Sequence, residues 1–389
     1  MQLLRVILFA MVAACAVKPA TAQTDTVKPL KIAVFAPVYL DSAFAGDVYK
    51  LGKNTFPKIM LPGLDFYNGI MMAVDSLNTE NAPVEVLFYD SKSPQAAATT
   101  LDNDPELQQL SLIIAAFNSR NEVKPLADLA MARQVPLISA TYPNEGGVSN
   151  NPWFVMLNPR LNTHIEAIYR YLHRTYPTDQ VILFRKKGNT GDLIQYMLND
   201  LNRKTAGLPL KLKTVELSDT FSVSQVMRQL DSTRQNIVVC GALDEVFGVN
   251  LARVLGTLRS YRVSLVGMPT WDGLKDIGRN IDLVYSTPYN LTRTDKLSQR
   301  LSAKYQALYA ARPSDMFFKG YESMYHFTKL LLKYRGDLIN NLSDKDYKQF
   351  ADFDIQPVRS GKDSLQTDYL ENRKLYFIRK VDGKLKSVS

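Results

Sequence analysis

The sequence predicts an α/β fold of two doubly wound, Rossmann-like lobes with parallel-sheet cores, on three observations. Between Leu110 and Tyr142 an apolar run, a polar turn, a helical stretch, a second apolar run and a second polar turn follow one another, the pattern of a βαβ unit. From Val181 onward the same alternation returns as a separate series, and regular strand and helix alternation builds a parallel sheet with right-handed crossovers and helices on both faces. At 389 residues, with 46% hydrophobic and 22% charged residues, the chain is globular and long enough for two cores of ordinary size.

The N-terminus reads as an export signal. MQLLRVILFAMVAACAVKPATAQ carries Arg5, an apolar stretch from Val6 to Val17, and Ala20-Thr21-Ala22 before Gln23 as a small-residue cleavage site. Residues 1–22 are therefore expected to be removed. A rival reading takes Val12-Ala13-Ala14-Cys15 as a lipoprotein processing box that leaves Cys15 acylated. Loss of Arg5 and Lys18 lowers the formal charge from +9 to +7. No later stretch reaches the roughly 20 apolar residues of a spanning helix, so the mature chain is expected outside the cytoplasm, soluble or tethered. Cys240, in NIVVCG, is then the only internal cysteine, which rules out an intrachain disulfide and suggests a packing role.

In chain order, Leu30–Ala36 is the first strand. The next helix is expected from Asp65, because FYNGIMMAVDSLN places Phe66, Ile70, Val74 and Leu77 on one stripe. The intervening 41–63 segment far exceeds the about 2–6 residues of an ordinary strand-to-helix loop; it either caps a ligand or decorates the surface. A strand at Val84–Tyr89 and a helix from about Gln95, interrupted at Asn103-Asp104-Pro105, come next. In the βαβ unit, strands Leu112–Phe117 and Val135–Ser139 flank a helix with Val123, Leu126, Ala127 and Ala130 on one face. Thr163 and Glu166 have capping-box spacing and open a further helix. The second series then gives strands at Val181–Arg185, Leu210–Leu217, Asn236–Cys240, Val263–Gly267 and Leu283–Ser286, with helices near 191–204, 222–234 and 244–259. Ser222 and Gln225 cap the middle helix. Two long helical patterns follow Thr294, divided at Arg312-Pro313-Ser314, and Asp382-Gly383 between alternating runs signals a closing hairpin.

Most catalytic classes lack their motifs here. There is no nucleophile elbow, no Walker loop and no zinc-type histidine pair; His164, His173 and His326 are widely spaced, and surface or capping roles are expected for all three. Gly188-Asn189-Thr190-Gly191 lacks the lysine and the glycine count of a nucleotide fingerprint. The absence of a dense basic run argues against a nucleic-acid partner, and neither a cofactor nor a metal is expected. What remains is binding. Ligands of open α/β sheets sit beyond the carboxyl ends of strands, which nominates Asn118, Ser119, Ser139, Ala140, Thr141 and Tyr142 in the first lobe. In the second it nominates Asn189, Thr190, Gly241, Asp244, Trp271 and Asp272. Trp271 either stacks on an apolar part of the ligand or packs a domain edge; Asp244 and Asp272 either neutralise a cationic group or cap helices.

The ordered motifs KIAVFAPV, GLDFYNGIMMAVDSLN, VEVLFYDSKSPQAAATT, LIIAAFNS and QVPLISATYP resemble type I periplasmic binding proteins of the leucine/isoleucine/valine-binding class. NPRLNTHIEAIYRYL, RKKGNTGD, IVVCGALDE, LVGMPTWDG and PSDMFFKGYESMY extend the likeness over nearly the whole mature chain. The resemblance implies a three-crossover hinge near 157–162, 286–292 and 334–338. Lobe 1 would then be 28–158 plus 288–335, and lobe 2 159–287 plus 336–389. It implies that Ser119, Ser139 and Thr141, with the Ala140 backbone, hold a ligand carboxylate. The second lobe departs from the family: Thr190-Gly191 stands where an aromatic precedes a glycine, and MPTWDG where an acidic residue holds the amino group. The resulting expectation is a monomeric, non-enzymatic, exported solute-binding protein for an amino acid or another small polar molecule, serving an inner-membrane ABC permease. The rival is a regulatory protein that keeps the fold without transport and docks onto another cell-envelope protein.

Overall fold

A computed structural model describes residues 28–388 apart from 53–55, 97–100, 102, 274–280, 291, 360–364 and 382–383. The expected export signal thus lies outside the described residues. Two seven-stranded sheets form the cores of two lobes.

Lobe 1 contains β1 (Leu30–Ala36), α1 (Leu61–Thr79), β2 (Val84–Asp90), β3 (Leu110–Ala115), α2 (Arg120–Arg133), β4 (Leu137–Ser139) and β5 (Phe154–Met156). These strands pair in parallel in the order β5-β4-β3-β1-β2. Both faces are covered: one apolar cluster joins Ile32 and Val34 to Phe66 and Ile70 of α1, and the other joins Ala33 and Phe35 to Val123 and Leu126 of α2. Continuous apolar runs are what such doubly covered strands require. α1 starts at Leu61, earlier than expected, because Pro62 fits the first helical turn where its missing N–H costs nothing.

The chain then enters lobe 2 with α3 (Leu161–Thr175), β6 (Gln180–Lys186), α4 (Asn189–Lys204), β7 (Lys211–Leu217), α5 (Val223–Met227), β8 (Gln235–Gly241), α6 (Glu245–Thr257), β9 (Arg262–Gly267) and β10 (Asp282–Thr287). The parallel order is β10-β9-β8-β6-β7. The Ser222 and Gln225 capping box is present, although the helix it opens ends at Met227 and not near 234. At α3 the expected capping box is absent; Arg160 is the N-cap, and Thr163 donates instead to Glu371.

The chain returns to lobe 1 with α7 (Lys296–Tyr309) and α8 (Asp315–Tyr334). α8 lies on α1 at backbone contact: a Cβ on Gly69 would meet the Phe317 oxygen at 2.0 Å, and one on Gly320 the Phe66 oxygen at 2.3 Å. The expected lobe 2 segment 336–389 is corrected here. Its first part supplies β11 (Ile355–Val358) and β12 (Tyr369–Asn372) to the lobe 1 sheet, with β12 pairing parallel to β5. Only β13 (Tyr376–Val381) and β14 (Lys384–Val388) extend lobe 2, as an antiparallel hairpin on β10. The third crossover is accordingly residues 373–375, not 334–338. The signal was weak because β12 is four residues long, too short for periodicity to register. The Asp382-Gly383 turn lies outside the described residues, but Val381 pairs with Lys384 across it.

Histidine expectations are also corrected. His164 and His326 are buried, and only His173 is at the surface, bonded to the Leu208 carbonyl at 3.0 Å. Burial lowers the His164 pKa to about 3 and pushes the Cys240 thiol up to about 12, which leaves the histidine neutral and the thiol inert.

Candidate functional site

The first and second crossovers leave from strand carboxyl ends, at Met156 of β5 and Thr287 of β10. The carboxyl edges of both sheets therefore border the hinge. In each lobe one strand is the topological switch point, with helices departing to opposite faces from it and its neighbour. In lobe 1 these are β1 and β3; in lobe 2 they are β6 and β8.

At the lobe 1 switch point the segment after β1 leaves at Pro37 and returns at Gly63, where a Cβ would meet the Pro37 oxygen at 2.1 Å. Within it are a short helix, Leu40–Ala43, and a two-stranded hairpin of Phe44–Ala45 with Val48–Tyr49. Asp90 holds its root, accepting from Val38 N at 3.0 Å, Leu40 N at 2.7 Å and Lys92 N at 3.0 Å. On either side of the Gly46-Asp47 turn the hairpin exposes apolar side chains to solvent, with Val48 68% exposed. Tyr39 crosses the switch point: its hydroxyl accepts from Asn118 Nδ2 at 2.8 Å, and Lys92, paired with Glu122, lies 5.5 Å above its ring.

The lobe 1 residues nominated from sequence separate into two groups. Ser119 is the N-cap of α2 in extended conformation, yet its side chain makes no capping bond, so its half-buried hydroxyl is not committed to the helix it starts. Thr141 is half-buried, donating to the Phe117 carbonyl at 3.3 Å, while its own carbonyl takes Asn158 Nδ2 at 2.8 Å. Tyr142 is half-buried against the α2-side cluster. Ser139 and Ala140 are corrected. Strand alternation turns Ser139 to the α2 face with Leu137; it is 0% exposed and its Oγ has no partner. Both Ala140 backbone groups are used, the N–H by Ala115 O at 2.8 Å and the carbonyl by Tyr289 Oη at 2.6 Å. Neither can meet a carboxylate.

The lobe 2 switch point is bridged by charge. Lys186, ending β6, pairs with Asp244 at 2.6 Å across the gap and with Asp219 at 2.8 Å. Asp219 and then Asp244 raise the lysine pKa; Lys186, followed by the Phe247 N–H, lowers that of Asp244. Asp244 is also the N-cap of α6. Its charge is thus matched before any ligand arrives, a correction to its nomination as the partner of a cationic group. Asn189 and Thr190 stand exposed in the first turn of α4, which starts tightly on β6: a Cβ on Gly191 would meet the Lys186 oxygen at 1.9 Å. Gly241 is buried where a Cβ would meet Leu183 Cδ1 at 2.8 Å, so packing accounts for it.

Trp271 is corrected as well. It is 1% exposed and wedged between α6 and β9, where Cβ atoms on Gly248 and Gly267 would approach its ring to 2.6 and 2.2 Å. It packs the lobe 2 core. Asp272 lies in the adjoining turn Pro269–Gly273, and its side chain is outside the described residues.

Sequence reasoning missed the hinge acid Glu371. From β12 in lobe 1 its buried carboxylate accepts from Arg160 N at 2.8 Å and Thr163 Oγ1 at 2.9 Å, and lies 3.3 Å from Arg373. It ties the first crossover to the third. A single acid in DYLENRK carries no local signal of such a role. Among the described residues there is no group of three or more His, Cys, Asp and Glu able to hold a metal, and no helix long and apolar enough to cross a membrane.

No curated protein matches the chain significantly. Solved structures do. A branched-chain amino acid ABC transporter periplasmic ligand-binding protein from Burkholderia xenovorans superposes with a TM-score of 0.61 at 12% identity, over 92% of this chain and 94% of that one. A leucine-binding protein from Thermotoga maritima gives 0.52 at 13% identity, over 92% and 98%. A solute-binding protein of an ABC transporter from Rhodopseudomonas palustris, in complex with 3,4-dihydroxybenzoic acid, gives 0.55 at 16% identity, over 92% and 96%. These likenesses are of fold. A family model described as periplasmic binding protein matches residues 61–351, well over half of the 389. The chain therefore belongs to the periplasmic binding protein family, in the type I two-lobed form that its sheets and crossovers display.

Proposed function

We propose that the protein captures a small polar solute, an amino acid or a molecule of that size, between its lobes and delivers it to an inner-membrane ABC permease, without catalysis. The observation that carries this reading is the hinge placement of both polar rims, since crossovers leave from the carboxyl edges of both sheets. A solute touching both rims stabilises the closed form through contacts the open form lacks. Ser119 and Thr141 are the proposed lobe 1 contacts, with Asn118 beside them; Asn189 and Thr190 are proposed for lobe 2. Relatives of this fold are described as leucine-binding and as holding 3,4-dihydroxybenzoate, which supports a solute class rather than one identity. Family membership and the expected export signal support work outside the cytoplasm, and the protein is proposed to act as a monomer.

Native mass spectrometry of freshly purified protein followed by thermal shift across an amino-acid library tests the proposal. A bound solute at about 100 times its Kd adds about 2.7 kcal/mol of stability. Ser119→Ala combined with Thr141→Val abolishes that shift. A protein that no small molecule stabilises, but that co-purifies with an envelope partner, is the regulatory alternative instead.

A further inference from the structure

A pocket of about 240 Å³ lies at the far pole of lobe 1, built at the amino ends of β1, β3 and β5 and the carboxyl ends of α2 and α8. Strands β1 to β5 run parallel and the hinge borders their carboxyl ends, so this pole faces away from the crevice. Leu30, Leu110, Val135, Leu331, Leu338 and Ile339 give the pocket apolar walls. An apolar cavity of about 150 Å³ takes a benzene ring, so this one has room for roughly eight carbons and a head group.

Three of its polar residues are set there by irregular backbone. Ser111 has no partner on β1, because the register jumps from Lys31 opposite Leu110 to Ile32 opposite Leu112; such a bulge re-aims a side chain. Gln134, capping α2, is left-handed at φ +53°. Arg335, capping α8, has φ +52° and ψ −119°, a conformation glycine adopts far more readily, although Gly336 stands next to it. Strain of that kind gathers at ligand clamps.

The pocket is rich in free donors. Among the described residues the side chains of Ser111, Gln134 and Arg335 make no hydrogen bond or ion pair, and neither does the indole N–H of Trp153, which lines the pocket from the start of β5. Carbonyls at the two helix ends are already taken, Leu331 O by the Arg335 N–H, and Ala130 O and Met131 O by the Val135 and Gln134 N–H groups. No lining residue is acidic, and the one formal charge is the Arg335 guanidinium.

We propose that this pocket is a second ligand site, separate from the crevice, for a monocarboxylate with an apolar body. The carboxylate sits on the Arg335 fork, since one guanidinium matches one carboxylate through two parallel bonds. The body lies against the leucines and Ile339, and Ser111, Gln134 and the Trp153 N–H add donors for the head group.

The test is fluorine NMR of the full chain carrying fluorotryptophan. The sequence has two tryptophans, so one signal reports from this pocket, Trp153, and the other from the lobe 2 core, Trp271. Octanoate is the probe, with octanamide and acetate as controls. Octanoate should shift the Trp153 signal saturably and leave that of Trp271 in place. Octanamide should bind about tenfold more weakly, the value of one charge-assisted bond, and acetate should give no saturable shift. Arg335→Gly, which frees the backbone, should melt no lower than the parent and bind octanoate and octanamide alike; Arg335→Gln should lose the same preference with the backbone kept. Absence of a Trp153 shift at millimolar octanoate overturns the proposal, as does equal binding of octanoate and octanamide by the parent, or a preference that survives in both variants. Ser119→Ala with Thr141→Val should leave octanoate binding unaltered, so a failure here is distinct from a failure of the interlobe reading.

Discussion

The two lobes share one topology and commit their switch points differently. In lobe 1, β1 and β3 are bridged by the neutral bond between Tyr39 and Asn118, and half-buried hydroxyls at Ser119 and Thr141 remain beside it. In lobe 2, β6 and β8 are bridged by the Lys186 and Asp244 ion pair, with Asp219 as a second counter-charge. The same strand order thus places a switch-point crevice in both halves, while side chains decide whether the crevice keeps free polar groups or uses them on itself. A solute is expected to be oriented by lobe 1 and enclosed by lobe 2.

The contrast is broken most severely at Trp271. If it packs lobe 2, Trp271→Ala costs about 3–5 kcal/mol, read as loss of the lobe 2 transition in chemical denaturation with lobe 1 unchanged. A stable variant that fails only in solute binding would return Trp271 to the cleft.

A pH experiment comes next in size. Burial raises the Glu322 pKa in lobe 1 to about 7, against 4.5 for the free group, although the Ala351 and Phe350 N–H groups oppose the shift. The folded state then holds this proton where the unfolded chain has lost it, so the group's contribution to stability falls as pH rises from about 4.5 to about 7. Glu322→Gln, which keeps the acceptor, should be more stable than the parent at pH 8 by about 3 kcal/mol and similar at pH 4.5. His164 in lobe 2 has the opposite sign. Its folded pKa of about 3 lies below the ordinary 6.5, so its contribution is lost as pH falls through that window, and His164→Gln should remove that part of the acid sensitivity.

A smaller effect is expected at the hinge between the lobes. Glu371→Gln weakens three charge-assisted contacts and should cost about 2 kcal/mol, with the interlobe distance distribution broadened in spin-label measurements. An unchanged distribution would mean that Glu371 stabilises lobe 1 alone. The smallest test compares two serines of one lobe. Ser119→Ala should weaken solute binding about tenfold, about 1.4 kcal/mol, whereas Ser139→Ala should leave binding unchanged and stability equal or higher, because it removes an unsatisfied buried hydroxyl. Equal losses at both positions would sink the division drawn here between open and sealed hydroxyls.

The fold was legible where periodicity was long. Strands of six or seven residues and helices of thirteen to twenty stood out in sequence within a few residues of their ends, as did the alternation that doubles the sheet. The segment that forms β11 and β12 was not legible as strands, and 336–389 was expected in lobe 2, because four-residue strands carry no pattern and because the tail visits both sheets before it ends. At the site, strand ends located the rims, but exposure at a rim is not a local property. Ser119 and Ser139 look alike in sequence; a turn places one beside the crevice, and pleat parity turns the other beneath a helix. The sequence left Trp271 between stacking on a ligand and packing a domain edge, and the two glycines that receive it in the lobe 2 core lie in other segments, at 248 and 267. Asp244 was recognisable as a cap, but not its pairing with Lys186, which lies 58 residues away.

The excursion after β1 has a practical consequence. Since it departs and rejoins the body at one point, with Gly63 seated on Pro37 and the root held by Asp90, the exposed hairpin at 44–49 stands apart from the pairing of the lobe 1 strands. Gly46, with φ of +60° and no atom within 4 Å of where a Cβ would sit, is therefore a natural place to splice in a fluorescent domain that reports on the neighbouring crevice.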